Sequence, residues 1–191
     1  MNKHFLRKII LFHLLLCQKN LNRYNDDPRF YYMLGVVIGR GLEADLEEEY
    51  SIEDAIKYFN NALHMLDKKF KDKDLEATLL NAKAYAITLK PRKKVEDIIE
   101  AEGCLKELEK IIPYGRWGAH FIDTKACIFY LQAFITKNAS KKIEYIEKAI
   151  KLSKEAVELS KEHHFPRFKI NLYTKNLRRH EKFKNDLKGG Y

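Results

Sequence analysis

Apolar residues recur at three- and four-residue steps along most of the chain, the spacing of one helix face. The clearest stretch is Ser51 to Leu66, where Ile52, Ala55, Ile56, Phe59, Ala62, Leu63 and Leu66 form one stripe. Ser51 is placed to cap this helix, and Asp54 three residues on can return the bond as a short capping box. Ala55 and Ala62 are small, so a second helix can approach closely there. Such a helix cannot bury its stripe alone, and similar pieces lie upstream and downstream.

Carried along the chain, the pattern predicts an all-α fold of about eight helices and no strand. Phe5 to Leu21 is the first, apolar on most sides. Asn25-Asp26-Asp27-Pro28 starts the second, an acidic cap followed by proline in the first turn. That helix is expected from Arg29 to about Ile38, with Gly39-Arg40-Gly41 ending it, and the acidic stretch from Leu42 to Tyr50 reads as a loop or a short exposed helix. Ser51 to Lys69 follows, then Leu75 to Leu89, stopped by Lys90-Pro91 because proline cannot continue a helix. Val95 to Ile112, Ala119 to Ile135, Lys141 to His163 and Pro166 to about Leu187 complete the set. Only four prolines and eight glycines punctuate 191 residues, which suits long helices joined by short turns.

Internal similarity is the strongest signal. Leu79 to Lys90, LLNAKAYAITLK, superimposes on Phe121 to Gln132, FIDTKACIFYLQ, 42 residues on. Leu79 meets Phe121, Leu80 meets Ile122, Lys83 meets Lys125, Ala84 meets Ala126 and Leu89 meets Leu131. Ile56, Tyr58, Phe59, Ala62 and Leu63 meet Ile143, Tyr145, Ile146, Ala149 and Ile150, 87 residues on.

Tyr31-x2-Leu34-Gly35-x2-Ile38 is followed by Ala55-x3-Phe59-x2-Ala62; Ala84 is followed by Ala101-x3-Leu105 and Pro113; Ala126 is followed by Ile146 and Ala149. In this order the positions resemble the tetratricopeptide repeat family, or a divergent relative, over residues 28–160. The units are about 42–49 residues long, where the family has roughly 34, and the proline is missing from units one and three. The resemblance implies a right-handed stack of antiparallel helix pairs: an apolar N-terminal helix (1–24), three pairs (28–162) and a basic capping helix (166–187). A plain helical bundle is the alternative packing.

The resemblance also implies that the first helix of each pair lines a concave, partner-binding surface. Its three stripes would be Arg29, Tyr32 and Val36; Thr78, Asn81, Tyr85 and Thr88; and His120, Asp123, Cys127 and Tyr130. Rigid tyrosines beside Asn, Asp and Arg suit a peptide groove. The plainer reading has the tyrosines packed between helices with only their hydroxyls wet.

Charge adds a second theme. The formal net charge of +9 is uneven: +5 over residues 1–24, −7 over 25–55, +3 over 56–116, +2 over 117–162 and +6 over 163–191. Lys175, Arg178, Arg179, Lys182 and Lys184 share the last helix, which reads as a nucleic-acid footprint or as a solvated face. Lysine outnumbers arginine 27 to 9, as a general lysine bias would produce.

Candidate chemistry is sparse. Cys17, Cys104 and Cys127 are widely spaced among apolar residues and read as reduced core thiols of a cytosolic protein. Lys3, Arg7 and Lys8 precede an apolar run, but no small-residue cleavage site follows and the run is too short for a membrane span. Arg7 and His13 have the spacing of an HEPN-like ribonuclease motif, in a helix otherwise apolar. His163-His164 reads as a helix end, and His120 and Asp123 share a face without a nucleophile beside them. No phosphate-binding glycine loop or nucleophile elbow is present. The expectation is a cytoplasmic protein- or peptide-binding adaptor or regulatory subunit with no cofactor or metal. The alternatives are a basic nucleic-acid-binding protein, at the extreme a ribonuclease, and a homo-oligomer formed through the first helix.

Overall fold

The computed structural model of the chain describes residue 16 and residues 19–20, 23–24, 26–43, 51–69, 71–113 and 118–189. Most of the helix expected over Phe5 to Leu21, with Arg7, His13 and Cys17, lies outside the described residues, as does the acidic stretch 44–50. Among the described residues there are seven helices and no strand. They are α1 (Pro28–Glu43), α2 (Ile52–Lys69), α3 (Lys73–Thr88), α4 (Val95–Ile111), α5 (Ala119–Ile135), α6 (Ala139–Glu162) and α7 (Arg167–Gly189). The chain divides into two compact units, Met1–Pro91 and Arg92–Tyr191.

In the first unit α1 packs on α2, and α3 packs on α2 and also touches α1. Asp27 Oδ1 accepts the Arg29 N–H at 2.9 Å, and Pro28 occupies the first helical turn, where its missing N–H costs nothing. The Ser51 capping box forms in full: Ser51 Oγ accepts from the Asp54 N–H at 3.2 Å, and Asp54 Oδ2 accepts from the Ser51 N–H at 2.9 Å. Leu34, Ile38, Ile52, Ala55, Ile56, Phe59, Ala62 and Leu66 of α1 and α2 are buried. Gly35 lies so close to Phe59 that a Cβ there would collide with the ring. Burying that ring is worth about 1.5–3 kcal/mol, more than the ~1 kcal/mol a mid-helix glycine costs.

One expected boundary is corrected. α1 runs through Gly39-Arg40-Gly41 to Glu43 instead of ending there. A glycine stops a helix by adopting positive φ, and no described glycine does so. Packing of Leu34, Gly35 and Ile38 on α2 holds the helix instead.

In the second unit α5 and α6 form a hairpin, α7 packs along α6 and touches α5, and α4 rests on α5. Asn138 caps α6, its Oδ1 accepting the Lys141 N–H at 3.0 Å, so the helix starts at Ala139, two residues before the expected Lys141. Ala126 and Ala149 are fully buried, like Ala55, Ala62, Ala84 and Ala101. Every small residue of the repeat pattern is therefore a packing position. Several of the superimposed residues share environments, though Leu89 is half-buried where Leu131 is buried, and Ile143 is exposed where Ile56 is buried. Leu79 and Phe121, Leu80 and Ile122, and Ala84 and Ala126 are buried, while Lys83 and Lys125 are half-buried.

The turn after α6 is a Schellman motif. The Phe165 N–H donates to the Ser160 carbonyl at 2.9 Å and the His164 N–H to the Lys161 carbonyl at 3.1 Å. His164 sits at φ 52°, the left-handed position that glycine normally fills. Leu159 and Phe165 pack on a core of Ala119, Val157 and Tyr173, completing the apolar contact of that motif. α7 then runs antiparallel to α6, as Ser153 with His180 and Glu147 with Lys184 show.

Candidate functional site

α7 covers the third expected stripe. The Asn176 Nδ2 donates to Asp123 Oδ2 at 2.8 Å, the Arg179 Nη2 lies 3.6 Å from Cys127 Sγ, and the His180 ring stacks on Tyr130 at 4.8 Å. These rising pairs make α7 parallel to α5. Asp123 and Cys127 are buried, and Tyr130 carries the Arg179 guanidinium 4.7 Å from its ring centre and the Phe183 ring edge-on. Asp123, Cys127 and Tyr130 are thus packing positions rather than the lining of an open face.

The reason is the register of α7. Tyr173, Asn176 and His180 are its buried residues, whereas the aliphatic Ile170, Leu177 and Leu187 are half-buried. Two polar side chains thus occupy the middle of the buried face, and they are held by polar partners. His180 Nδ1 lies 3.0 Å from Ser153 Oγ, both residues fully buried. Burial, helped by Arg179, pushes the His180 imidazole down to about 3, so it is neutral. Burial, then the Asp123 carboxylate, raises the Cys127 thiol and the Tyr173 phenol, which leaves both protonated and unreactive. Burial lowers the half-buried Lys93, with Arg179 adding to the shift and Asp97 and Cys127 opposing it. His120, half-buried at the start of α5, is pushed down to about 4 by burial and by Lys169.

The other two stripes fall in the first unit. Arg29 is exposed and pairs with Asp72 at 3.3 Å, which ties α1 to the cap of α3. The Leu75 N–H, then the Arg29 guanidinium, holds the Asp72 carboxyl below its usual range. Asp26, Asp27, Arg29, Leu66, Asp72 and Leu75 line a hollow of about 190 Å³ there. Tyr32 packs on Phe59 with ring centres 6.3 Å apart, and Val36 is half-buried. Thr78 and Thr88 spend their hydroxyls on the carbonyls of Asp74 and Tyr85, and Thr88 is buried. Asn81 and Tyr85 remain half-buried on α3.

An opening that the helical periodicity did not single out lies between α4 and α5. It is a cleft of about 260 Å³ with Leu105, Ile128 and Phe129 as an apolar floor. Glu102, Lys106 and Glu109 stand along the α4 wall, and Lys125 and Gln132 along the α5 wall. Gln132 donates through Nε2 to Glu102 Oε1 at 2.6 Å, while its own Oε1 is buried with no hydrogen-bond partner among the described residues. The one sequence signal was Gln132 itself, an amide set in the apolar run from Phe129 to Phe134.

α7 also sorts the basic residues. Arg179 is turned inward onto Tyr130 and Cys127, and Lys184 donates to Glu147 at 2.7 Å. Lys175, Arg178 and Lys182 are exposed. Among the described residues no group of three or more His, Cys, Asp or Glu is placed to hold a metal ion, and no helix is long and apolar enough to cross a membrane.

No protein-family model matches the chain, and neither a curated protein nor a solved structure matches it.

Proposed function

We propose that the chain is a divergent tetratricopeptide-like helical-repeat protein that recognises a protein or peptide, acting as an adaptor or regulatory subunit. Two features support the repeat reading. In each unit a helix pair is followed by a third helix laid on both of its members, and Gly35, Ala84 and Ala126, which hold the small position of the three repeats, are all buried. The buried thiols of Cys104 and Cys127 support a cytoplasmic setting.

The observation that carries the binding function is the cleft between α4 and α5. Its floor accepts one apolar side chain, worth about 1.5–3 kcal/mol when buried. The buried Gln132 oxygen lacks a donor, which costs about 1–3 kcal/mol, and a backbone N–H from the bound segment recovers this once the amide turns toward the cleft. Together these fall short of the roughly 8 kcal/mol of micromolar affinity. The cleft is therefore an anchor, and the rest of the partner lies across further surface. Rim charges of both signs favour a peptide over a polyanion at this point.

The test is selection of peptides from a random display library on the immobilised chain. Enriched peptides should share an apolar anchor and lose binding to Lys106→Trp, which fills the cleft from its exposed rim. Peptides that bind the variant unchanged would place recognition elsewhere.

A further inference from the structure

We propose that the outer face of α7 binds single-stranded nucleic acid through its phosphates, a second binding surface that shares no residue with the α4–α5 cleft. α7 contains eight Lys and Arg against Glu181 and Asp186, and the fold divides them by what they touch. Arg179 lies on Tyr130, Lys184 on Glu147, and Lys169 over the Phe165 ring at 5.4 Å. Lys175, Arg178 and Lys182 are exposed and form no ion pair among the described residues. Glu181, the nearest acid in sequence, faces Lys154 at 3.9 Å.

The helix cannot turn this face away. Asn176 is bonded to Asp123 and His180 to Ser153 on its buried side, so the stripe Phe168, Asn171, Lys175, Arg178 and Lys182 faces outward. At about 1.5 Å per residue, Lys175 to Lys182 spans roughly 10 Å. That length holds about three phosphates of one strand at ~3.4 Å per charge. Three cations therefore meet three phosphates in a line. Phe168 is 60% exposed at the head of the stripe, between Arg167 and Lys169. An exposed ring beside a cationic track is the arrangement on which unpaired bases stack, and it selects a single strand over a duplex.

Three neutralised phosphates set a salt slope of about −2 for single strands, or roughly 20-fold weaker binding between 50 and 200 mM salt. The experiment is fluorescence anisotropy of a labelled 20-nucleotide single strand against the whole chain at those two concentrations. The triple variant Lys175→Gln, Arg178→Gln, Lys182→Gln should bind at least tenfold more weakly and lose most of the salt dependence. Phe168→Ala should weaken binding about fivefold or more, and Lys184→Gln should stay within about twofold. Helical circular dichroism and the thermal midpoint check that each variant is folded. The proposal is overturned by absence of binding at 50 mM salt or by equal binding of the folded triple variant. A loss with Lys184→Gln as large as that of the triple variant, or binding of duplex, polyglutamate or anionic phosphatidylserine vesicles as tight as that of the single strand, overturns it equally.

Discussion

Gly35 of α1 lies against the Phe59 ring of α2, with no room for a methyl group between them. The pair explains why a residue of poor helix propensity stands in the middle of a helix. Gly35→Ala should gain local propensity yet lose about 1–3 kcal/mol from overpacking. In a Phe59→Leu background the same change should cost much less, a coupling that a double-mutant cycle in urea reads directly.

The Asn176–Asp123 bond joins α7 to α5 inside the second unit. Asn176→Ala removes the donor and leaves a buried carboxylate with less support, so it should destabilise by about 1–3 kcal/mol. Asn171→Ala, on the exposed face of the same helix, should change stability by less than about 0.5 kcal/mol. Urea midpoints of the two variants, compared with the native chain, check the contrast.

His164 occupies a left-handed position at the end of α6. Relief of that backbone cost, about 1–2 kcal/mol for a residue with a Cβ, should make His164→Gly neutral or more stable, after subtraction of the greater freedom glycine has in the unfolded chain. Thermal melting of His164→Gly and His164→Val checks the sign: the β-branched residue should be the less stable of the two.

Acid should weaken the second unit before it protonates most carboxylates. His180 is held neutral down to about pH 3 and His120 to about pH 4, while both take up protons near 6.5 once unfolded. The unfolded state therefore binds more protons across that interval, and stability falls as pH drops below 6.5. Each histidine contributes at most about 1.4 kcal/mol per pH unit, less for the half-exposed His120. Denaturant unfolding at pH 7, 6 and 5 should show the decline, with a shallower slope for His180→Phe whatever its absolute stability.

Much of the helical framework was legible because it is written in local chemistry. Ser51 and Asp54 identify a helix start by their own hydrogen bonds, and α5 has the expected bounds, Ala119 to Ile135. Gly39 and Gly41 misled because glycine ends a helix only when tertiary packing allows the backbone to reverse, and α1 is held straight by α2. The site was less legible for the same reason. Whether Asp123 and Tyr130 face solvent depends on which side of α7 turns toward them, and that is decided by Asn176 and His180, residues a hydrophobic pattern reads as outward. The α4–α5 cleft depends on the register of two helices together, so neither helix alone announces it; Gln132 was the one residue out of keeping with its surroundings.

The measurement that bears most directly on partner recognition through the cleft is a tagged pull-down from the native cell at physiological salt. It should be treated with nuclease and read by mass spectrometry for the native chain and for Lys106→Trp side by side. The expected result is one protein in near-stoichiometric amount that survives nuclease and is absent from the Lys106→Trp sample. A partner recovered equally by both chains, or nucleic acid alone that disappears with nuclease, would contradict it.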